Sequence, residues 1–339
     1  MLYLGLFCIL YVTFLNYVNS GVGTNATSWY VYFTIYSIIG SFVFAGLFNW
    51  KYDDLIKAIA IVTVLQSIWC ILTFYFDEIK LLNSVLFEID ENENIDFESM
   101  KRLRSIGSAG SALSVCLALS SYSYLYFILR GKQILLNTIG LCLAVFATML
   151  AGTTGMIICI TSILSALVLS NKSSSYSRKF VILGAMIAIV VGANISFFFD
   201  DYQFRHITEK FIDFYESGLE SDTFQNLEKQ EISGISIETI IGTGISRGQL
   251  SGYVRCYHDG GYYRSYFAIG LIMACIFYCV LYRSMYRLSR QVKGKRELFF
   301  LLGFILILCI IEYKEPYNFY YFPFFLFNSL VLALKNTKQ

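Results

Sequence analysis

Residues 264–296 read RSYFAIGLIMACIFYCVLYRSMYRLSRQVKGKR. An apolar run centred on Leu271 to Leu281 passes directly into Arg283, Arg287, Arg290, Lys293, Lys295 and Arg296. A helix-length apolar stretch ending in clustered basic residues reads as a bilayer crossing whose basic end is anchored at the cytoplasmic surface. Composition extends that reading to the whole chain of 339 residues, which is 56% hydrophobic, 17% aromatic and 15% charged, with a mean hydropathy of +0.59. Those values exclude an ordinary soluble domain and predict an all-α, polytopic integral membrane protein.

A bilayer core takes about 20 apolar residues per helix. On that ruler the chain predicts ten spans, over residues 1–19, 29–48, 55–76, 106–128, 133–151, 153–170, 179–198, 264–282, 298–313 and 318–334. The fifth and sixth meet at the small-residue turn Ala151-Gly152-Thr153-Thr154-Gly155. Met1 to Val18 lacks a basic leader and a small-residue cleavage site, so it reads as the first span and not as a cleaved signal. No internal repeat interrupts a single membrane domain over residues 1–339. Eight of the nine cysteines lie in apolar runs and only Cys256 lies in a polar loop, which excludes a disulfide framework and a CxxC metal site.

Charge predicts the orientation. With both termini cytoplasmic, the inner segments carry 15 basic residues against three acidic ones, Asp53, Asp54 and Glu297. The outer segments then hold 11 basic and 21 acidic residues, as the positive-inside rule requires. Two long loops fall outside, at about 77–105 and 199–263, the second lying between helices 7 and 8. Ile207, Phe211, Ile212, Phe214 and Tyr215 alternate with charges in the second loop, predicting a helix on the outer membrane surface.

The outer segments also hold the residues able to do chemistry. Gly242 to Arg264, GTGISRGQLSGYVRCYHDGGYYR, crowds Arg247, Arg255, Arg264, His258 and Asp259 against the start of the eighth span. Such polar density at a bilayer edge costs solvation unless it faces water or a ligand. Asp259 or His258 can accept a hydroxyl proton, and Arg264 can neutralise an anionic leaving group. The bland alternative is a polar turn with an aromatic belt of Tyr262, Tyr263 and Tyr266. Arg104 opens the fourth span, either reaching lipid headgroups or clamping a diphosphate with its forked donors. Glu312-Tyr313-Lys314-Glu315-Pro316 closes the ninth span, as an interfacial ion pair or as a third wall of the same pocket. The acidic run from Glu88 to Glu93 reads as a solvated surface in preference to a metal site, and no motif for a metal, a nucleotide or nucleic acid stands elsewhere.

In order and spacing the chain resembles the Wzy-type O-antigen polymerases and, more broadly, the O-antigen ligase and polymerase superfamily. The resemblance is carried by Arg104 with Gly107, by Ile241-Gly242-Thr243-Gly244, by Asp259-Gly260-Gly261-Tyr262, by Tyr266 to Leu271, and by Glu312 to Glu315. It departs from the superfamily where Ser108-Ala109-Gly110 stands in place of a Pro-Asn pair, and His258 beside an Asp differs from the His-rich loop of the ligase branch. The resemblance implies a GT-C-like fold in the bacterial inner membrane, with an active site on the periplasmic face. It implies a cofactor-free, metal-independent polymerase that joins repeat units carried on undecaprenyl diphosphate, with a ligase-type enzyme as the near alternative. By the same resemblance, Arg104, Arg264, Arg247 and Arg255 serve the diphosphate. Asp259 and His258 serve the acceptor hydroxyl, while Tyr262, Glu312, Lys314 and Glu315 line the pocket. The implied partners are membrane lipid, a chain-length regulator and a flippase, with no nucleic acid. Rival classes are a lipid-linked oligosaccharide flippase, which calls for charges at mid-span depth, and a non-catalytic assembly protein.

Overall fold

The computed structural model of the protein describes residues 1–19, 21–86, 104–105, 108–152, 155, 158–160, 162–163, 232–250, 253–291, 295–314, 316–319 and 321–337. The expected seventh span, most of the sixth, the surface helix near residues 205–219, the acidic run at Glu88 and residues Glu315 and Gly107 lie outside them. The chain forms two compact units, one of Met1–Tyr52 with Leu219–Gln339 and one of Asp53–Gly218.

The first unit is built from α1 (Leu2–Val18), β1 (Val22–Asn25) and α2 (Thr27–Phe48), together with elements from the second half of the chain. In the second unit are α3 (Tyr52–Tyr75), α4 (Asp77–Leu86), the strands β2 (Arg104–Ser105) and β3 (Ser108–Ala109), α5 (Gly110–Leu129) and α6 (Ile134–Ala151). The first unit is completed by α7 (Ile237–Ile241), β4 (Ile245–Gln249), β5 (Arg255–Cys256), α8 (Gly261–Ile269), α9 (Leu271–Arg290), α10 (Lys295–Lys314) and α11 (Tyr321–Asn336). Among the described residues α2, α3, α6 and α9 are long and apolar enough to cross a membrane, and α1 is a shorter apolar helix of 17 residues. The described chain is therefore mostly helical, with several segments suited to a bilayer.

An aromatic core holds the first unit together. Tyr30 and Phe33 of α2 pack on Phe277 of α9, on Phe319 and on Phe324 of α11, with ring centroids 4.9 to 6.1 Å apart. Rings at those separations add edge and offset stacking to their area burial. A π-helical stretch, Phe33–Ile39, interrupts α2 where this packing is densest. At one end of the unit the Tyr52 amide donates to Thr337 (2.9 Å) and Asn336 donates to the Trp50 carbonyl (3.4 Å). At the other end β1 pairs with β4, beside the turn that follows α10.

Two features of this unit differ from the sequence reading. The first is a three-stranded antiparallel sheet, ordered β1-β4-β5, in a fold expected to be purely helical. Gly23 faces Gly248 across it, and a side chain at Gly23 would run into the Arg247 carbonyl. Ile245, Cys256 and Phe267 form its small core, and burial pushes the Cys256 thiol above its ordinary pKa. Cys256 therefore acts as a small hydrophobe, despite its polar sequence context.

The second is that the span expected at 264–282 is two helices, α8 and α9, separated at Gly270 (φ 82°, ψ 160°). A broken helix leaves carbonyls without intrahelical donors. Here the Thr243 amide donates to the Phe267 carbonyl and the Gly244 amide to the Ala268 carbonyl, each at 2.9 Å. The Gly-Thr-Gly element thus caps α8 from a distant part of the chain, and Gly242 (φ 109°) is where that segment presses on Ile269 and Gly270.

In the second unit Cys70, Leu113, Leu117, Ala147, Leu150 and Ala151 form one core of α3, α5 and α6. Asp53 accepts from Tyr126 (2.7 Å), Arg130 (3.2 Å) and Lys132 (2.8 Å), joining two short segments expected on the same face. The fourth span was expected from residue 106, opened by Arg104, but α5 begins at Gly110. Arg104 instead lies in a two-residue strand opposite Ala109, ahead of the helix. Ser108 and Ala109 are thereby taken up by strand pairing, and the helix starts only after them.

Candidate functional site

The expected site residues that the first unit contains gather where α8 begins. His258 is buried, and its Nδ1 accepts the Gly260 amide (2.8 Å) while its ring lies 4.0 Å from that of Tyr263. An accepting Nδ1 leaves the proton of the neutral imidazole on Nε2. Burial lowers the His258 pKa from 6.5, and the adjacent Asp259 opposes that shift. A histidine depressed in this way stabilises the fold above the unfolded pKa near 6.5, and that stability is lost as the pH falls through the folded value. The melting temperature of the purified protein is expected to fall on acidification below that range. His258→Asn, which offers an oxygen where Nδ1 stands, is expected to flatten that part of the profile. An unchanged profile in the variant would remove His258 as its source.

Asp259 is paired with Arg247 of β4 at 3.3 Å, both about half-exposed. The strand pairing of β4 with β1 sets the position of Arg247, so this contact depends on the N-terminal segment. Arg264 projects from the first turns of α8, with its guanidinium 4.2 Å above the ring of Trp29. A cation over an indole face gains electrostatic attraction and loses little hydration, which suits Arg at an apolar boundary. Arg255 is exposed on β5, its amide held by the Ser233 hydroxyl at 2.7 Å.

Beneath these groups lies a buried polar network. Glu312 is fully buried at the end of α10, accepting from the Tyr278 hydroxyl (2.6 Å) and from the Asn318 amide (2.7 Å). The Asn318 side chain donates to Tyr282 (2.8 Å), which shares a 2.9 Å bond with Tyr262, and Tyr262 donates to the Cys309 carbonyl (3.0 Å). Ser265 joins through Tyr278 at 2.9 Å. Close approach requires glycine at Gly260 and Gly261. A side chain at Gly261 would collide with the Glu312 carboxyl and Pro316, and one at Gly260 with the Tyr313 carbonyl. The network thereby fastens the start of α8 to the turn after α10.

Arg247, His258, Asp259, Tyr262, Arg264 and Glu312 are thus brought to one end of one unit, with Arg255 on the neighbouring strand and Lys314 half-buried at the close of α10. Tyr262, expected to line the pocket, has its hydroxyl tied to Tyr282 and to the Cys309 carbonyl. Arg104 belongs to the other unit, and Glu315 lies outside the described residues. Sequence reading missed Trp29, Tyr278, Tyr282 and Asn318. The spacing of Tyr278 and Tyr282, one helical turn apart in an apolar run, was the available signal, because two hydroxyls on one face of a buried helix need partners. Comparison with protein families, with curated proteins and with solved structures finds no match to this chain.

Proposed function

We propose that the protein is a membrane glycosyltransferase of the surface-polysaccharide polymerase type. In this reading it works on the outer face of the bacterial inner membrane and joins sugar repeat units carried on undecaprenyl diphosphate. The observation that carries the reading is the Arg247–Asp259 pair beside Arg264 and His258 at the mouth of a helical unit. A carboxylate and several guanidiniums at one polar boundary supply the two needs of such a transfer. An acceptor hydroxyl attacks the anomeric carbon and its proton passes to the Asp259 carboxylate. The bond from that carbon to the diphosphate oxygen breaks, and the lipid diphosphate leaves with the electron pair. Fixed cations stabilise the charge that develops on it, with no reorganisation at the moment of reaction. Arg264 and Arg247 are the first candidates for that role, with Arg255 assisting. Lys314 and Glu315 would complete the pocket, and a ligase-type acceptor would use the same chemistry.

A test is expression of Arg264→Ala, Asp259→Ala and Arg247→Ala in a strain that lacks the protein. The Arg247–Asp259 pair is half-exposed, so its loss costs at most about 1 kcal/mol of stability and the protein should reach wild-type levels in the membrane. Polymer is expected to fall at least tenfold, a loss of about 1.4 kcal/mol in transition-state stabilisation. A full ladder of chain lengths in all three variants would refute the assignment. Single repeat units left on the lipid carrier would support a polymerase, and polymer retained on the carrier a ligase. A second reading, a flippase for the lipid-linked unit, is favoured by the broken α8–α9 helix beside the buried Glu312. It predicts repeat units trapped on the cytoplasmic face, where added outer-face glycosidases cannot reach them.

A further inference from the structure

In the first unit, the segment from Gly234 to Ile241 inverts the usual arrangement of a polar loop. Thr239 is 0% exposed, whereas Ile235 and Ile237 are each 74% exposed, and Ile240 and Ile241 are also open. A short helix in water turns its isoleucines inward and its threonine outward. Here the polar side faces inward and is satisfied. Ser236 accepts the Thr239 amide, and Thr239 accepts the Ser236 amide (2.8 Å) and donates to the Gly234 carbonyl (3.1 Å). Ile237, Ile240 and Ile241 share one face at helical spacing, with Glu238 on its flank.

The position of this face identifies what covers it. Tyr11 of α1 donates to the Ile241 carbonyl at 2.6 Å, and Gly270, at the head of α9, packs directly on Ile240 and Ile241. Tyr266 of α8 donates to the Gly234 carbonyl at 3.1 Å. The isoleucines therefore continue the exposed apolar surfaces of the apolar helix α1, at Leu10 and Phe14, and of the span-length helix α9, at Ile272. We propose that Ile235, Ile237, Ile240 and Ile241 insert into the lipid at the membrane interface, so that this part of the loop is a lipid-embedded rim. The occupant is phospholipid, by continuity with the exposed apolar side chains of α1 and α9. An interfacial segment of this kind rests about 5–10 Å into the headgroup and acyl boundary. Glu238 then reaches the headgroup level from the flank.

The proposal is independent of the catalytic reading, and its test uses no enzymatic readout. The full chain would be reconstituted in nanodiscs of phosphatidylcholine and phosphatidylglycerol, with acyl chains either plain or brominated. Ile237→Trp and Ile241→Trp each add a fluorophore above the background of Trp29, Trp50 and Trp69. The added emission is expected to fall about twofold or more in brominated lipid, and to respond weakly to acrylamide in the water. Ile235→Trp replaces either variant that fails to fold. Strong quenching by acrylamide with none by bromine would place the segment in water and overturn the proposal. Protection from both quenchers would mean that protein covers the face, a second copy included, and would overturn it equally.

Discussion

Gly270→Ala is expected to destabilise the protein by about 2–6 kcal/mol. Two costs add. The backbone at Gly270 (φ 82°, ψ 160°) lies in a region essentially reserved for glycine, which costs a side chain about 1–3 kcal/mol. A methyl group would also meet the carbonyls of Ile240 and Ile241, and forcing atoms into packed backbone costs about 1–3 kcal/mol more. Thermal melting in detergent would measure the loss. Gly131→Ala separates the two costs, because Gly131 (φ 72°) has open space around it. Gly46→Ala controls for both, since Gly46 is helical with nothing nearby, and alanine there should stabilise by about 0.5–1 kcal/mol. A Gly270→Ala loss no greater than that of Gly131→Ala would show that the α8–α9 break is not pressed against Ile240 and Ile241.

Glu312→Ala is expected to cost about 3–5 kcal/mol. It leaves the Asn318 backbone amide as a buried donor without an acceptor, at about 1–3 kcal/mol, leaves the Tyr278 hydroxyl only Ser265 as a partner, and opens a cavity between α9 and α10. Glu312→Gln keeps the volume but can present only one oxygen, so one of the two donors must face an amide N–H. Its cost is expected near 1–3 kcal/mol. The melting temperatures should therefore rank wild type above glutamine and glutamine above alanine. A glutamine variant as stable as wild type would overturn the assignment of two accepted bonds to this carboxyl. Because Glu312 lies directly against Gly261, its loss also frees the start of α8, which carries Arg264.

These two positions show what sequence reading can and cannot reach. Glu312 was singled out as one charged residue closing a span, with Lys314 and Glu315 beside it. Its importance lies elsewhere, in bonds to Tyr278 and to Asn318 that no local pattern announces. Gly270 lies within an apolar run that reads as one continuous span. Hydropathy averages over a window and cannot register a single residue whose backbone turns. Arg104 illustrates the same limit, since the small residues that follow it suit a helix interface and a tight hairpin equally well.

The amino-acid sequence by itself determined the helical, membrane-suited character of the protein. It placed α1, α2, α3, α6 and α11 within a few residues of their observed limits. Those elements depend on local apolar length, and a helix satisfies its own backbone whatever surrounds it. The sequence also located the polar stretch from Gly242 to Arg264, because charge beside an apolar run is a local signal. Only the tertiary structure decided that this stretch is pinned by a strand at Val22–Asn25, that Asp259 meets Arg247, and that Trp29 lies beneath Arg264. Those contacts join residues as much as 235 positions apart or depend on such pairings, and a sheet register exists only once both strands are present.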